Sequence, residues 1–310
     1  MFGKAGFRRF LGEYYPLVIV LVGVLLVSAS LGPFENGDTQ REFDAAQGVI
    51  KWGLPYMGIF GLMMDEPPLG YYIEALWFLV FGSSMVVGAA LITLFGLGCV
   101  VLVYEIGKVW FGRNAGFLAA VLFAVSPWEF VMSRSFLIDT PCLFFSLLFV
   151  YVGVIAIRKG SFRLIVVSGF LFAAAFLTKF YAVFSLIPLV LFFVHSKPAK
   201  NPRRMFSWVG AFILPVIVLA FLWYQVFTGQ GLFSIMGHQD FVNYLPPGIH
   251  PSYLFVVNLL LLYGLGWFFA LAAALAVIIG VVARNRFSQI LVFSLICLAT
   301  AIVVVGVDTF

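Results

Sequence analysis

Runs of about twenty apolar residues, separated by short basic or Pro/Gly-rich joints, recur along most of this chain and constrain its fold more than any other feature. A helix of about 20 residues crosses a hydrocarbon core of about 30 Å. Runs of that length lie near 14–32, 84–106, 114–132, 139–157, 207–227 and 288–307. The run 164–194 is long for one helix and short for two. A single crossing there would put Lys197, Lys200, Arg203 and Arg204 opposite every other basic cluster, so two short crossings meeting near Lys179 are expected. The run 253–283 is expected to cross once after an interfacial turn, which keeps Arg284 and Arg286 with the other basic joints. The expected fold is therefore all-α, a polytopic transmembrane helix bundle of about nine crossings in one domain, residues 1–310.

Composition agrees. Of the residues, 63% are apolar and 10% charged, against about 45–50% and about 25% in soluble domains. A soluble enzyme, a nucleic-acid module and a disordered chain are excluded, and the net charge of +5 reads as loop orientation with no nucleic-acid partner. Cys99, Cys142 and Cys297 sit singly inside apolar runs, as core filler.

Charge placement orients the chain. Fourteen of the 18 basic residues fall on one side of the expected topology, which is then cytoplasmic and carries the N-terminus. Eleven of the 13 acids fall outside or at the outer surface. Acids contribute little to orientation, so their concentration points to an extracytoplasmic active site. The first run has a second reading as a cleavable signal peptide, since Lys4, Arg8 and Arg9 precede an apolar core and Ser28-Ala29-Ser30.

Two outer loops are sizeable. Residues 33–83 hold a polar helix-like piece at 41–52, then Pro67-Pro68 opening an apolar stretch that carries Glu74 and is expected to lie in the interface. Residues 228–252 hold His238, Asp240 and His250. Charged groups at membrane depth tend to be functional, which singles out Asp38, Asp65, Glu66, Arg134, Asp139 and Lys179. Each has a plainer use. Asp38 after Asn36-Gly37 suits a turn or an N-cap, Asp139 before Thr140-Pro141 suits a helix start, and Arg134 or Lys179 could snorkel to headgroups.

Taken in order, Gly37-Asp38, Gly53-Leu54-Pro55-Tyr56, Asp65-Glu66-Pro67-Pro68-Leu69-Gly70-Tyr71-Tyr72, Ser126-Pro127, Arg134 five residues before Asp139, and Leu177-Thr178-Lys179 form a pattern. It resembles the GT-C superfamily of membrane glycosyltransferases, in the branch of the protein O-mannosyltransferases and the lipid A aminoarabinose transferases. The resemblance covers roughly residues 14–200, with a weaker echo at His250-Pro251-Ser252-Tyr253. It implies transfer of a sugar from a polyprenyl-phosphate carrier to a protein, lipid or glycan acceptor on the outer side, with inversion. On that basis Asp38 matches the catalytic base and Asp139 the second outer-loop acid, while Asp65, Glu66, Arg134, Lys179 and His250 are candidates for binding the donor.

Two departures stand out. The family often has Asp-Glu in its first loop and a base before Pro-Pro, where this chain has Asp38-Thr39 and Glu66-Pro67. Its members are also longer, with a further carboxy-terminal portion. The chemistry needs one base for the acceptor proton and a cation for the phosphate that leaves. Asp38, Asp65, Glu66 and Asp139 could bind Mg²⁺ or Mn²⁺ if they converged, but the resembled branch does not generally require a metal, so no cofactor is expected. The competing readings are a transporter or flippase-like carrier, which would place ionisable residues nearer the midplane, and a non-catalytic scaffold or remnant.

Overall fold

The computed structural model describes residues 4–35, 37–57, 62, 66–194 and 202–227. Among these the regular structure is helical, apart from isolated bridges pairing Phe34 with Ser135 and Tyr56 with Leu62. Four helices are long and apolar enough to cross a membrane: α1 (Lys4–Leu31) through its part Tyr14–Leu31, α4 (Met85–Phe111), α7 (Asp139–Lys159) and α10 (Pro202–Phe221). The expected runs 253–283 and 288–307, and the loop 228–252 with His238 and His250, lie outside the described residues.

Between these four come shorter helices. The polar piece expected at 41–52 begins earlier, as α2 (Gly37–Trp52), and α3 (Leu69–Phe81) follows Pro67-Pro68. At 1.5 Å per residue the 13 residues of α3 span about 20 Å, short of a bilayer core. The run 114–132, expected as one helix, is two: α5 (Arg113–Ala124) and α6 (Pro127–Met132). Pro127 is the cause. It has no N–H to give, and it drives Ser126 away from helical geometry, yet it suits the first position of the next helix. The run 164–194 breaks where expected. Here α8 (Phe162–Thr178) stops at Lys179, whose backbone is extended (φ −155°, ψ 136°), and a 3-10 segment Phe180–Ser185 leads into α9 (Leu186–Val194).

The residues group into two compact units. The first comprises Met1–Met63, Pro68–Val125 and Glu129–Tyr151. In it, α4 and α5 fold back on each other through the single joint residue Gly112, at φ +96°. Gly107 and Gly116 let the two backbones touch: a Cβ on Gly116 would stand 2.6 Å from Lys108 N and Tyr104 O. Leu17 of α1 packs with Val100, Tyr104, Ala120 and Ala124.

Most of the apolar part of α1 is exposed, as lipid contact demands, but both its ends are held. Tyr14 donates from its hydroxyl to Glu105 Oε1 (2.7 Å), Lys108 Nζ donates to the Tyr14 hydroxyl (3.1 Å), and Tyr151 donates to Glu105 Oε2 (3.4 Å). At the far end Gly32 turns the chain at φ +71°, Phe34 N donates to Arg134 O (3.1 Å), and Arg134 Nη1 donates to Gly32 O (3.3 Å).

The second unit comprises Met64–Pro67, Ser126–Trp128 and Val152–Phe310. Gly169 on α8 lies against the backbone of Phe212 on α10, and the rings of Phe172 and Phe212 stack at 5.4 Å. Arg204 donates to the carbonyl of Gly160 (3.1 Å), which closes the end of α7.

Candidate active site

In the first unit the site region is built from α2 and the stretch between α6 and α7. The buried residues of α2, Thr39, Glu42, Ala45, Ala46 and Gly48, fall on one face by helical spacing. That face packs on Tyr71 and Ile138 and on Phe78, Ile92 and Phe136. Asp38 and Asp44 lie on the exposed side. Gly48 is required at its position, because a Cβ there would run into the backbone of Tyr56 as the chain folds back along α2.

A glutamate on this apolar face needs a partner, and Glu42 finds one 96 residues away: its Oε2 accepts the backbone N–H of Ile138 at 2.7 Å. Ile138 in turn accepts from Cys142 N (2.9 Å), the first bond of α7, so Ile138 occupies the N-cap. In a capping box the glutamate that reaches the N-cap N–H comes from the same helix. Here it comes from α2. The helix N-terminus is electropositive, which favours the carboxylate there. Asp139 sits one residue further on, half-buried in the first turn of α7, where Pro141 is also accommodated. Asp38 lies four residues before Glu42, one turn back along α2. The structure thus joins the helix bearing Asp38 to the helix start bearing Asp139.

The 133–138 stretch is buried and held by its backbone. Thr93 Oγ1 donates to Ser133 O (2.9 Å) and Thr140 Oγ1 to Met132 O (3.2 Å). Arg134 belongs to this scaffold. Its Nε donates to Phe130 O (3.0 Å), its Nη1 to Gly32 O, and the guanidinium lies 4.5 Å from the centre of the Phe130 ring. Glu129, on the short helix α6, is 4% exposed. Gly96 makes room for it, since a Cβ on Gly96 would lie 2.9 Å from Glu129 Oε1 and 2.7 Å from Ser133 Cβ.

In the second unit the two candidates Glu66 and Lys179 form an ion pair, Nζ to Oε1 3.3 Å, with side chains 16% and 13% exposed respectively. Lys179 is placed by the break after α8: its N–H donates to Ala175 O (3.0 Å), its carbonyl accepts from Ala182 N (3.1 Å), and its ammonium lies 5.7 Å from the centre of the Tyr181 ring. Asp65 and His250 lie outside the described residues.

Sequence reasoning counted Glu42 only among the outer acids and Glu129 only among the charges near the outer surface. A signal for Glu42 was present, an acid in register with Thr39, Ala45 and Ala46 on the apolar stripe of α2. The family resemblance assigned Glu66 and Lys179 to one donor site, but nothing in the sequence predicts the ion pair between them.

Comparison with known proteins bears on what such a chain is. The family model for dolichyl-phosphate-mannose-protein mannosyltransferases matches residues 65–224, more than half of the chain. Two Bacillus subtilis proteins, the candidate mannosyltransferases YkcB and YycA, are each 28% identical to it. The alignments run over 209 and 160 residues, which is 63% and 50% of this chain but 29% and 22% of those proteins. The chain therefore spans less than a third of the length of these relatives.

The fold is similar to that of the Archaeoglobus fulgidus oligosaccharyltransferase. In its crystal structure with zinc and sulfate the TM-score is 0.53 at 14% identity, and in that tethered to an acceptor peptide 0.56 at 13%. These superpositions cover 94% and 97% of this chain and 48% and 49% of the other, a likeness of fold alone at such identity. Helix content, apolar spans and the matched residues lead to one assignment: the chain is an integral membrane protein that belongs to the dolichyl-phosphate-mannose-protein mannosyltransferase family.

Proposed function

We infer that the protein is a glycosyltransferase that moves a sugar from a polyprenyl-phosphate donor to an acceptor on the extracytoplasmic side of the membrane, by inverting single displacement. The observation that carries this reading is the docking of α2 on the start of α7 through Glu42 and Ile138, which fixes the outer-loop helix bearing Asp38 against the helix bearing Asp139.

In the proposed reaction Asp38 takes the proton of the acceptor as its nucleophilic atom attacks the anomeric carbon. The bond from that carbon to the phosphate oxygen breaks, and the polyprenyl phosphate leaves with the electron pair. Asp38 is exposed at the first turn of α2, where an acceptor can reach it. Lys179 is assigned to the phosphate, because the Arg134 guanidinium is engaged with two backbone carbonyls, whereas Lys179 is paired with the side chain of Glu66. Asp139 is assigned to orienting the acceptor, and Asp65 and His250 to donor binding on the family resemblance. No step needs a metal or cofactor.

The test is transfer in proteoliposomes supplied with a panel of polyprenyl-phosphate sugars, the product being identified by mass spectrometry. A positioned general base contributes about 10²–10⁴-fold, so Asp38→Asn should lower turnover at least 10²-fold while insertion and melting temperature hold, and excess chelator should leave wild-type turnover unchanged. Turnover of Asp38→Asn equal to wild type would remove Asp38 from the mechanism.

A further inference from the structure

Glu66 stands directly before Pro67-Pro68, and the structure places its carboxylate on Lys179, Nζ to Oε1 3.3 Å. We propose that Glu66 is a built-in counter-ion that competes with the donor phosphate for Lys179, so that donor binding proceeds by exchange of one anion for another. The inference rests on the glycosyltransferase reading and assigns Glu66 as a determinant of donor affinity.

Both side chains are largely removed from solvent, and there an unpaired charge is expensive, so each stabilises the other. Lys179 has little freedom to turn elsewhere. Its backbone is fixed on both sides, to Ala175 and from Ala182, and the Tyr181 ring flanks its ammonium. Glu66 is tethered differently, just before the rigid Pro67-Pro68 step that opens α3. An approaching phosphate therefore meets an ion pair in place of a lone cation. To reach the ammonium it must displace the carboxylate, which then has to be rehydrated. The attraction Lys179 offers is offset by the pair that is broken, and donor affinity is set below what a lone lysine would give. At the end of the reaction the same carboxylate returns to Lys179 as the product phosphate leaves, so the exchange also speeds product release.

Binding of a sugar-free polyprenyl monophosphate to the detergent-solubilised protein, followed by tryptophan fluorescence, tests this. Glu66→Gln keeps the shape of the side chain and removes its charge; the expected result is at least tenfold tighter binding than wild type. Glu66→Ala should tighten binding similarly, which guards against a peculiarity of one variant, and Lys179→Gln placed on Glu66→Gln should erase the gain. In the transfer assay, Glu66→Gln should lower the KM for donor together with kcat, as release slows. If wild type binds the lipid phosphate and both folded Glu66 variants bind it equally or more weakly, the counter-ion role is overturned while the transferase reading stands. If neither wild type nor any variant binds it, the transferase reading fails and takes this inference with it.

Discussion

The bond from Ile138 to Glu42 offers the most direct measure of whether α2 is locked to α7. Donor and acceptor are 2.7 Å apart and both residues are buried, Glu42 at 2% and Ile138 at 0% exposure. A hydrogen bond to a charged group nets about 1.5–3 kcal/mol, and an orphaned buried N–H costs about 1–3 kcal/mol. Glu42→Ala removes the acceptor and leaves the Ile138 N–H buried, so a loss of about 2–4 kcal/mol is expected once the overlap between those two terms is allowed for. Glu42→Gln retains an oxygen acceptor and loses only the charge assistance, roughly half of the bond, so about 1 kcal/mol is expected. With a shift of about 2 °C per kcal/mol for a chain of this size, Glu42→Ala should melt about 4–8 °C lower in detergent and Glu42→Gln about 2 °C lower. Asp44→Asn, on the exposed side of the same helix, should move the midpoint by less than about 1 °C. Equal midpoints for Glu42→Ala and Asp44→Asn would refute the locking argument.

Two further perturbations use the same melting assay. Gly116→Ala should destabilise by about 1–3 kcal/mol because its Cβ would strike the α4 backbone, whereas Gly210→Ala, with nothing within 4 Å in α10, should stabilise by up to about 1 kcal/mol; the same sign for both would contradict the helix packing described.

Local features were legible and distant pairings were not. The helix break at Lys179 followed from run length and the side on which the basic clusters fall. The break at Ser126-Pro127 was written in the sequence as well, but apolarity alone carried the reading 114–132 past it, and the backbone rule for the residue before proline decides the matter. The same reading placed Asp38 ahead of a helix beginning near Arg41, whereas α2 starts at Gly37 and takes Asp38 into its first turn, where an acid complements the helix dipole. By contrast, Glu42 meets Ile138 and Lys179 meets Glu66 across separations of 96 and 113 residues. A one-dimensional pattern can say that a buried acid needs a partner, but the candidates are many. Arg134 was illegible for a simpler reason: its partners are main-chain carbonyls, which every residue carries.

The two fastenings of α1 carry a mechanical consequence. Tyr14 is clasped by Glu105 and Lys108, and Gly32, 18 positions or about 27 Å of helix further on, by Arg134. That length is close to the thickness of a bilayer's oily interior, and the stretch between the clasps is mostly exposed, holding to the bundle through Leu17 and its neighbours. Lipids that thicken or thin the membrane would pull on the clasps, and one of them is the arginine that also steadies the stretch leading into Asp139. Membrane thickness would thereby reach the acidic end of α7 through a helix that contributes no acid of its own there.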